Sequence, residues 1–75
     1  MTVWFDNGQK CWDEHYKNGK RDGLQNIWYE NGQKSLEAHY KNGKQEGLET
    51  HWDKDGNKIL EVHYKDGAEI SRKEF

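Results

Sequence analysis

Four histidines, one cysteine and several adjacent carboxylates are the side chains in this 75-residue sequence that could do chemistry. His15, His39 and His63 recur every 24 residues, a spacing that invites a shared metal ion. A zinc ion needs ring nitrogens about 2 Å away, whereas residues two strands apart in a sheet stand roughly 9.5 Å from one another. The column is therefore expected to line a wet face beside Asp13, Glu37 and Glu61 and to hold no metal. His51 breaks the column, is expected on the same side, and is a candidate partner contact. Cys11 has no second cysteine to pair with, and its column holds Ser35 and Ile59 elsewhere. It reads as a small structural residue in a reducing, cytoplasmic setting and not as a nucleophile. Asp13 with Glu14, and Glu30 with Glu37, have the residue types for general acid and base work. Adjacent carboxylates on a strand alternate faces, and catalysis needs convergent groups in a concave pocket. No catalytic residue, cofactor or enzyme activity is expected.

These residues are carried by a repeat. Trp4-Phe5-Asp6-Asn7-Gly8-Gln9-Lys10 returns as Trp28-Tyr29-Glu30-Asn31-Gly32-Gln33-Lys34 and, more loosely, as Trp52-Asp53-Lys54-Asp55-Gly56-Asn57-Lys58. The first two 24-residue units agree at 13 positions, so one supersecondary element is repeated within a single domain, with units at about 4–27, 28–51 and 52–75. Asn-Gly or Asp-Gly stands at 7–8, 18–19, 31–32, 42–43, 55–56 and 66–67. Such dipeptides are strong hairpin signals because both residues tolerate positive φ. Between them apolar and polar residues alternate, as in Leu36, Ala38 and Tyr40 against Glu37, His39 and Lys41. The expected fold is all-β, a single antiparallel meander of about seven strands without helices, strongly twisted or coiled over its own aromatic face.

Parity sets the expected turn type. If Trp28 and Leu36 share the apolar face, as do Tyr40 and Leu48, each turn needs a three-residue loop with glycine in a left-handed bulge position. The apolar face would then carry Trp4, Trp12, Tyr16, Leu24, Trp28, Leu36, Tyr40, Leu48, Trp52, Leu60, Val62 and Tyr64. A second bulge at Gly23 and Gly47 is the alternative that changes this parity. The third unit has Ser71-Arg72 where Gly-Leu stands in the others, and is expected to act as a C-terminal cap to a complete small protein, with Arg72, Lys73 and Glu74 protecting an exposed edge.

Composition narrows the partners. Only 31% of residues are apolar and 35% are charged, yet 13% are aromatic, which fits a thin folded chain better than a disordered one. Twelve basic and fourteen acidic residues are interspersed, leaving no basic stripe for nucleic acid, and lysines are matched by acids, which disfavours a membrane surface. No apolar segment reads as a signal peptide or a membrane helix.

The strings Tyr16-Lys17-Asn18-Gly19-Lys20 with Asp22-Gly23-Leu24 and Trp28, and Tyr40-Lys41-Asn42-Gly43-Lys44 with Glu46-Gly47-Leu48 and Trp52, resemble the MORN-repeat variant. With Trp28 to Lys34 added, the chain is similar to the bacterial branch of that family labelled as toxin-antitoxin antitoxins, over about residues 3 to 67. The resemblance implies a row of β-hairpins and a protein that works by binding another, often a toxin encoded beside it. The wider family is also linked to lipid binding and membrane tethering. It implies no catalytic residues.

The expected function is neutralisation of a cognate toxin or effector enzyme by direct binding. The alternatives are a phage- or mobile-element-encoded inhibitor of a host defence complex and a membrane-surface or scaffold module. Edge strands would offer a route to self-association. Positions where the units differ are those the fold does not dictate. The expected partner contacts are Trp12, Tyr29, Glu30, Glu46, Glu49, His51 and Asp53, with aromatic groups as anchors and acids steering a basic partner.

Overall fold

A computed structural model describes residues 2–75. Its ten strands are β1 (Thr2–Trp4), β2 (Lys10–Asp13), β3 (Tyr16–Lys17), β4 (Lys20–Arg21), β5 (Gly23–Trp28), β6 (Lys34–Lys41), β7 (Lys44–Gln45), β8 (Gly47–Trp52), β9 (Lys58–Lys65) and β10 (Ala68–Glu74). Seven of them follow one another across an antiparallel sheet in the order β1-β2-β5-β6-β8-β9-β10, the expected meander. The short β7 extends the pairing of β6, while β3 and β4 form a hairpin tip of their own. Among the described residues no helix is long and apolar enough to cross a membrane.

Two turn types alternate, where a single type was expected. At one edge, Gly8 donates its N–H to Phe5 O at 3.0 Å and Phe5 donates to Gln9 O at 2.8 Å, which defines a three-residue loop with glycine in the bulge position. The same bonds recur at Tyr29–Gln33 and Asp53–Asn57. At the other edge the expectation fails: Lys41 pairs directly with Lys44, and both intervening residues have positive φ, 52° at Asn42 and 83° at Gly43. This is a two-residue type I′ turn, whose twist matches that of the flanking strands. Asn18-Gly19 and Asp66-Gly67 share its positive φ values.

The turn change rearranges the faces. Tyr40 pairs with Gln45, but Leu36 pairs with His51, so Glu46 and Gly47 are two extra residues on their strand, with Gly47 at φ +87°. Inserting two residues leaves parity unchanged, so Leu48 lies opposite to Leu36. Toward the other edge Ile27 pairs with Leu36 but Trp28 with Lys34, leaving Ser35 as a one-residue bulge; Cys11 and Ile59 occupy the same place in their hairpins. The predicted single apolar face is therefore divided. Paired residues share a face, and Val3, Trp12, Ile27, Leu36, His51 and Leu60 form an unbroken row across six strands. Ala38, Val62, Tyr40 and Tyr64 share this stripe face. Trp4, Trp28 and Trp52, each next along its strand to a stripe residue, point to the opposite, tryptophan face with Leu24 and Leu48.

The sheet measures 36 × 35 × 10 Å. A third dimension of one layer leaves no room for the expected coiling over its own aromatic face, and the sheet stays open. Among the described residues the fully buried apolar side chains are Ala38 and Val62, both on the stripe face. On the tryptophan face the next row is polar, with Asn26 and Thr50 buried between carboxylates Asp13, Glu37 and Glu61 of neighbouring strands.

Candidate interaction surfaces

The expected contact residues fall in three places. Trp12, Glu49 and His51 are on the stripe face; His51 does not share the side of the histidine column as expected, because His39 and His63 pair with Leu24 and Leu48 on the tryptophan face. Glu49 is held by Gln45 Nε2 and by His51 Nε2, the latter 2.9 Å from its Oε2. A neighbouring cluster was missed from sequence: Tyr16 donates to Glu14 Oε1 at 3.0 Å, and Arg21 lies 3.4 Å from Glu14 Oε2 and 5.2 Å from the centre of the Tyr40 ring. Bonding from Tyr16, opposed in part by burial, holds the Arg21 guanidinium above its ordinary pKa. Its columns vary between units, Arg21 against Gln45 and Glu69, Glu14 against Ala38 and Val62, and that variation was the available signal.

Tyr29, Glu30 and Asp53 lie on the edge formed by the three-residue loops. Asparagines lock these loops to one another: Asn7 Nδ2 donates to Glu30 O at 3.2 Å and Asn31 Nδ2 to Lys54 O at 2.8 Å. Each asparagine Oδ1 also accepts the N–H two residues on, at 2.9 Å. Tyr29 adds a third link by donating its hydroxyl to Trp52 O at 2.7 Å. In the third loop Asp53 takes over, accepting from the N–H groups of Asp55 at 2.9 Å and Asn57 at 3.0 Å. These backbone bonds, Asn57's foremost, keep its carboxyl below the usual aspartate pKa. Two clefts flank Phe5, one lined by Trp4, Asp6, Asn7 and Glu30, the other by Trp28, Tyr29, Glu30, Asn31 and Lys54. Lys10 Nζ stands 5.8 Å from the rings of both Trp4 and Trp28 and bridges their aromatic surfaces.

Glu46 belongs to the opposite edge. Its Oε2 accepts the Asp66 N–H at 3.0 Å, as Asp22 does more loosely for Asn42 at 3.4 Å. The acid before each Gly-Leu thus caps the type I′ turn of the following unit. Charge is unevenly divided between the edges: the three-residue loops carry Asp6, Glu30, Asp53 and Asp55 against Lys54, while the type I′ edge carries Lys17, Lys20, Lys41, Lys44 and Lys65 against Asp22, Glu46 and Asp66. Residue counts for the whole chain conceal this polarity.

A single-layer meander whose loops bond to one another at intervals of one unit defines a β-hairpin repeat protein. The family model for the MORN repeat variant matches residues 21–42 and 45–66, and the chain belongs to that family. MORN repeats are typically binding modules. No curated protein and no solved structure matches the chain.

Proposed function

We propose that this protein binds and neutralises a basic partner protein, a toxin or effector enzyme, through the acidic edge built by its three-residue loops. The observation that supports this reading is the bonded row of loops, Asn7 to Glu30 and Asn31 to Lys54, which holds Trp4, Phe5, Tyr29 and Glu30 around two clefts. A surface whose backbone is ordered before binding loses little entropy on association. Its aromatic groups supply contact area, while Asp6 and Glu30 attract a cationic surface and speed encounter. Asp53 contributes charge, but its carboxylate already accepts backbone N–H groups, which fixes where that charge stands, while Glu46 on the opposite edge lies outside this surface.

The test is co-expression and co-purification with the product of the adjacent gene. A stable complex and relief of toxicity are expected. The double reversal Asp6→Lys/Glu30→Lys should then slow association by about ten-fold or more at low salt, with the difference shrinking as salt rises. A neighbour that is harmless alone and forms no complex overturns the proposal.

A further inference from the structure

We infer that the stripe face is covered by a second copy of this chain, giving a two-layer sandwich with a two-fold axis between the sheets. Domains bury a sheet's apolar face against another layer, and this sheet has no second layer of its own. Two small side chains, Ala38 and Val62, are its only fully buried apolar groups among the described residues. Beside them Val3, Ile27, Leu36 and Leu60 are only half-buried, and Trp12 is still 38% exposed. A slab 36 × 35 Å across presents roughly 1,000 Å² per face, enough for the roughly 800 Å² per partner of a stable interface.

Apolar content selects this face over the other. Five of the six residues in its central row are apolar, Val3, Trp12, Ile27, Leu36 and Leu60. Its carboxylates lie off that row or at its end: Glu14 stands 3.4 Å from Arg21, Glu69 stands 2.8 Å from Arg72, Glu49 is hydrogen-bonded by Gln45 and His51, and Glu74 pairs with Leu60 on the last strand. The tryptophan face instead carries Asp13, Glu37 and Glu61 along one row and Lys10, Lys34 and Lys58 along the next, and although Lys34 meets Glu37 at 2.8 Å and Lys58 meets Glu61 at 3.2 Å, such pairs are costly to remove from water. The same patch meets itself in a two-fold interface. β6 is the fourth of seven strands in sheet order, so an axis through the middle of the stripe sets Leu36 against the partner copy's Leu36.

Sedimentation equilibrium should return twice the 9.0 kDa chain mass at micromolar concentration, and Leu36→Lys should return the single-chain mass with an unchanged far-ultraviolet spectrum. A second measurement covers the case in which that variant unfolds. In a Cys11→Ser background, Leu36→Cys should be joined rapidly by a short bis-maleimide, because facing sheets lie about 10 Å apart. Glu37→Cys, on the opposite face, should not. A single-chain mass up to about 100 µM, or equal cross-linking at both positions, overturns the inference. The acidic edge is not part of this interface, so Asp6→Lys/Glu30→Lys should leave the mass unchanged, and either proposal can fail alone.

Discussion

Asn31 makes one bond within its own loop and one that ties it to the next, so its replacement measures how far neighbouring units depend on each other. Asn31→Ala deletes the 2.8 Å bond to Lys54 O and the 2.9 Å bond accepted from Gln33 N. Each neutral hydrogen bond contributes roughly 0.5 to 1.5 kcal/mol net, and both sites are exposed, so the lower half of that range applies and the combined loss is about 1 to 2 kcal/mol. For a domain this size, a loss of that order lowers the thermal midpoint by roughly 4 to 16 °C. Asn31→Asp separates the two bonds. It keeps the acceptor for Gln33 N and loses the donor to Lys54 O, which also sets a negative charge against a carbonyl. Urea denaturation followed by tryptophan fluorescence gives both values from midpoints at constant slope. Asn31→Asp should cost at least half as much as Asn31→Ala. If Asn31→Asp is as stable as wild type while Asn31→Ala is not, the bond between units carries nothing and the loops are stabilised one at a time. If Asn31→Ala itself shifts stability by less than about 0.3 kcal/mol, the bonded row is not a mechanical unit, and the ordering invoked for partner binding fails with it.

Two further substitutions test the local geometry. A Cβ at Gly47 would meet nothing within 4 Å, so the cost of Gly47→Ala comes from its φ of +87° alone, about 1 to 2 kcal/mol by thermal unfolding. Gly47→Asn, which tolerates that conformation better, should cost less; equal stability of all three would show that the two-residue bulge relaxes. Asp53 has a depressed pKa in the folded chain, so its contribution is present above the usual aspartate value of 3.8 and is lost as pH falls through the lower folded value. Asp53→Asn should therefore flatten the acid limb of a stability-against-pH curve below about pH 4, and an unchanged limb would refute the turn-capping role.

The hairpin architecture was legible because a 24-residue period, period-two alternation and Asn-Gly dipeptides all specify the same meander. Faces were less legible, since a single residue decides them. The parity rule holds where Trp28 pairs with Lys34, and then Ser35 enters as a bulge one residue further on. Nothing in a small polar side chain announces this. The alternative bulge at Gly23 and Gly47 was visible from sequence, but its length was not: one extra residue changes parity and two restore it. The last strand shows the difference, because the pairing between Glu69 and Ser71 skips only Ile70, where the inner unit skips Glu46 and Gly47. Parity on β10 is thereby reversed, and Arg72 falls opposite Val62. Of the candidate contacts, the loop positions Tyr29 and Glu30 were accessible to comparison between units. The capping duties of Glu46 and Asp53 were not, since each depends on which N–H groups the turns bring near.

Division of labour between the two edges follows from those capping duties. On the type I′ edge Asp22 and Glu46 spend their carboxylates on the turn of the next unit, and Lys20 and Lys44 lay their stems against Gly43 and Gly67. Acid, glycine and lysine are all required there for one unit to seat the next, which leaves that edge little room to vary. At the other edge the bonds between units come from Asn7, Asn31 and the Tyr29 hydroxyl, and their acceptors are the backbone carbonyls of Glu30, Lys54 and Trp52. A carbonyl is present whatever side chain stands above it. Phe5, Asp6, Glu30 and Lys54 can therefore change without loss of these bonds, and their side chains are among those that line the clefts. A repeat built this way fixes the side chains on one edge and leaves those on the other free to vary. If the acidic loop edge binds the partner as proposed, exchanging its side chains should change the partner bound before it changes the stability of the sheet.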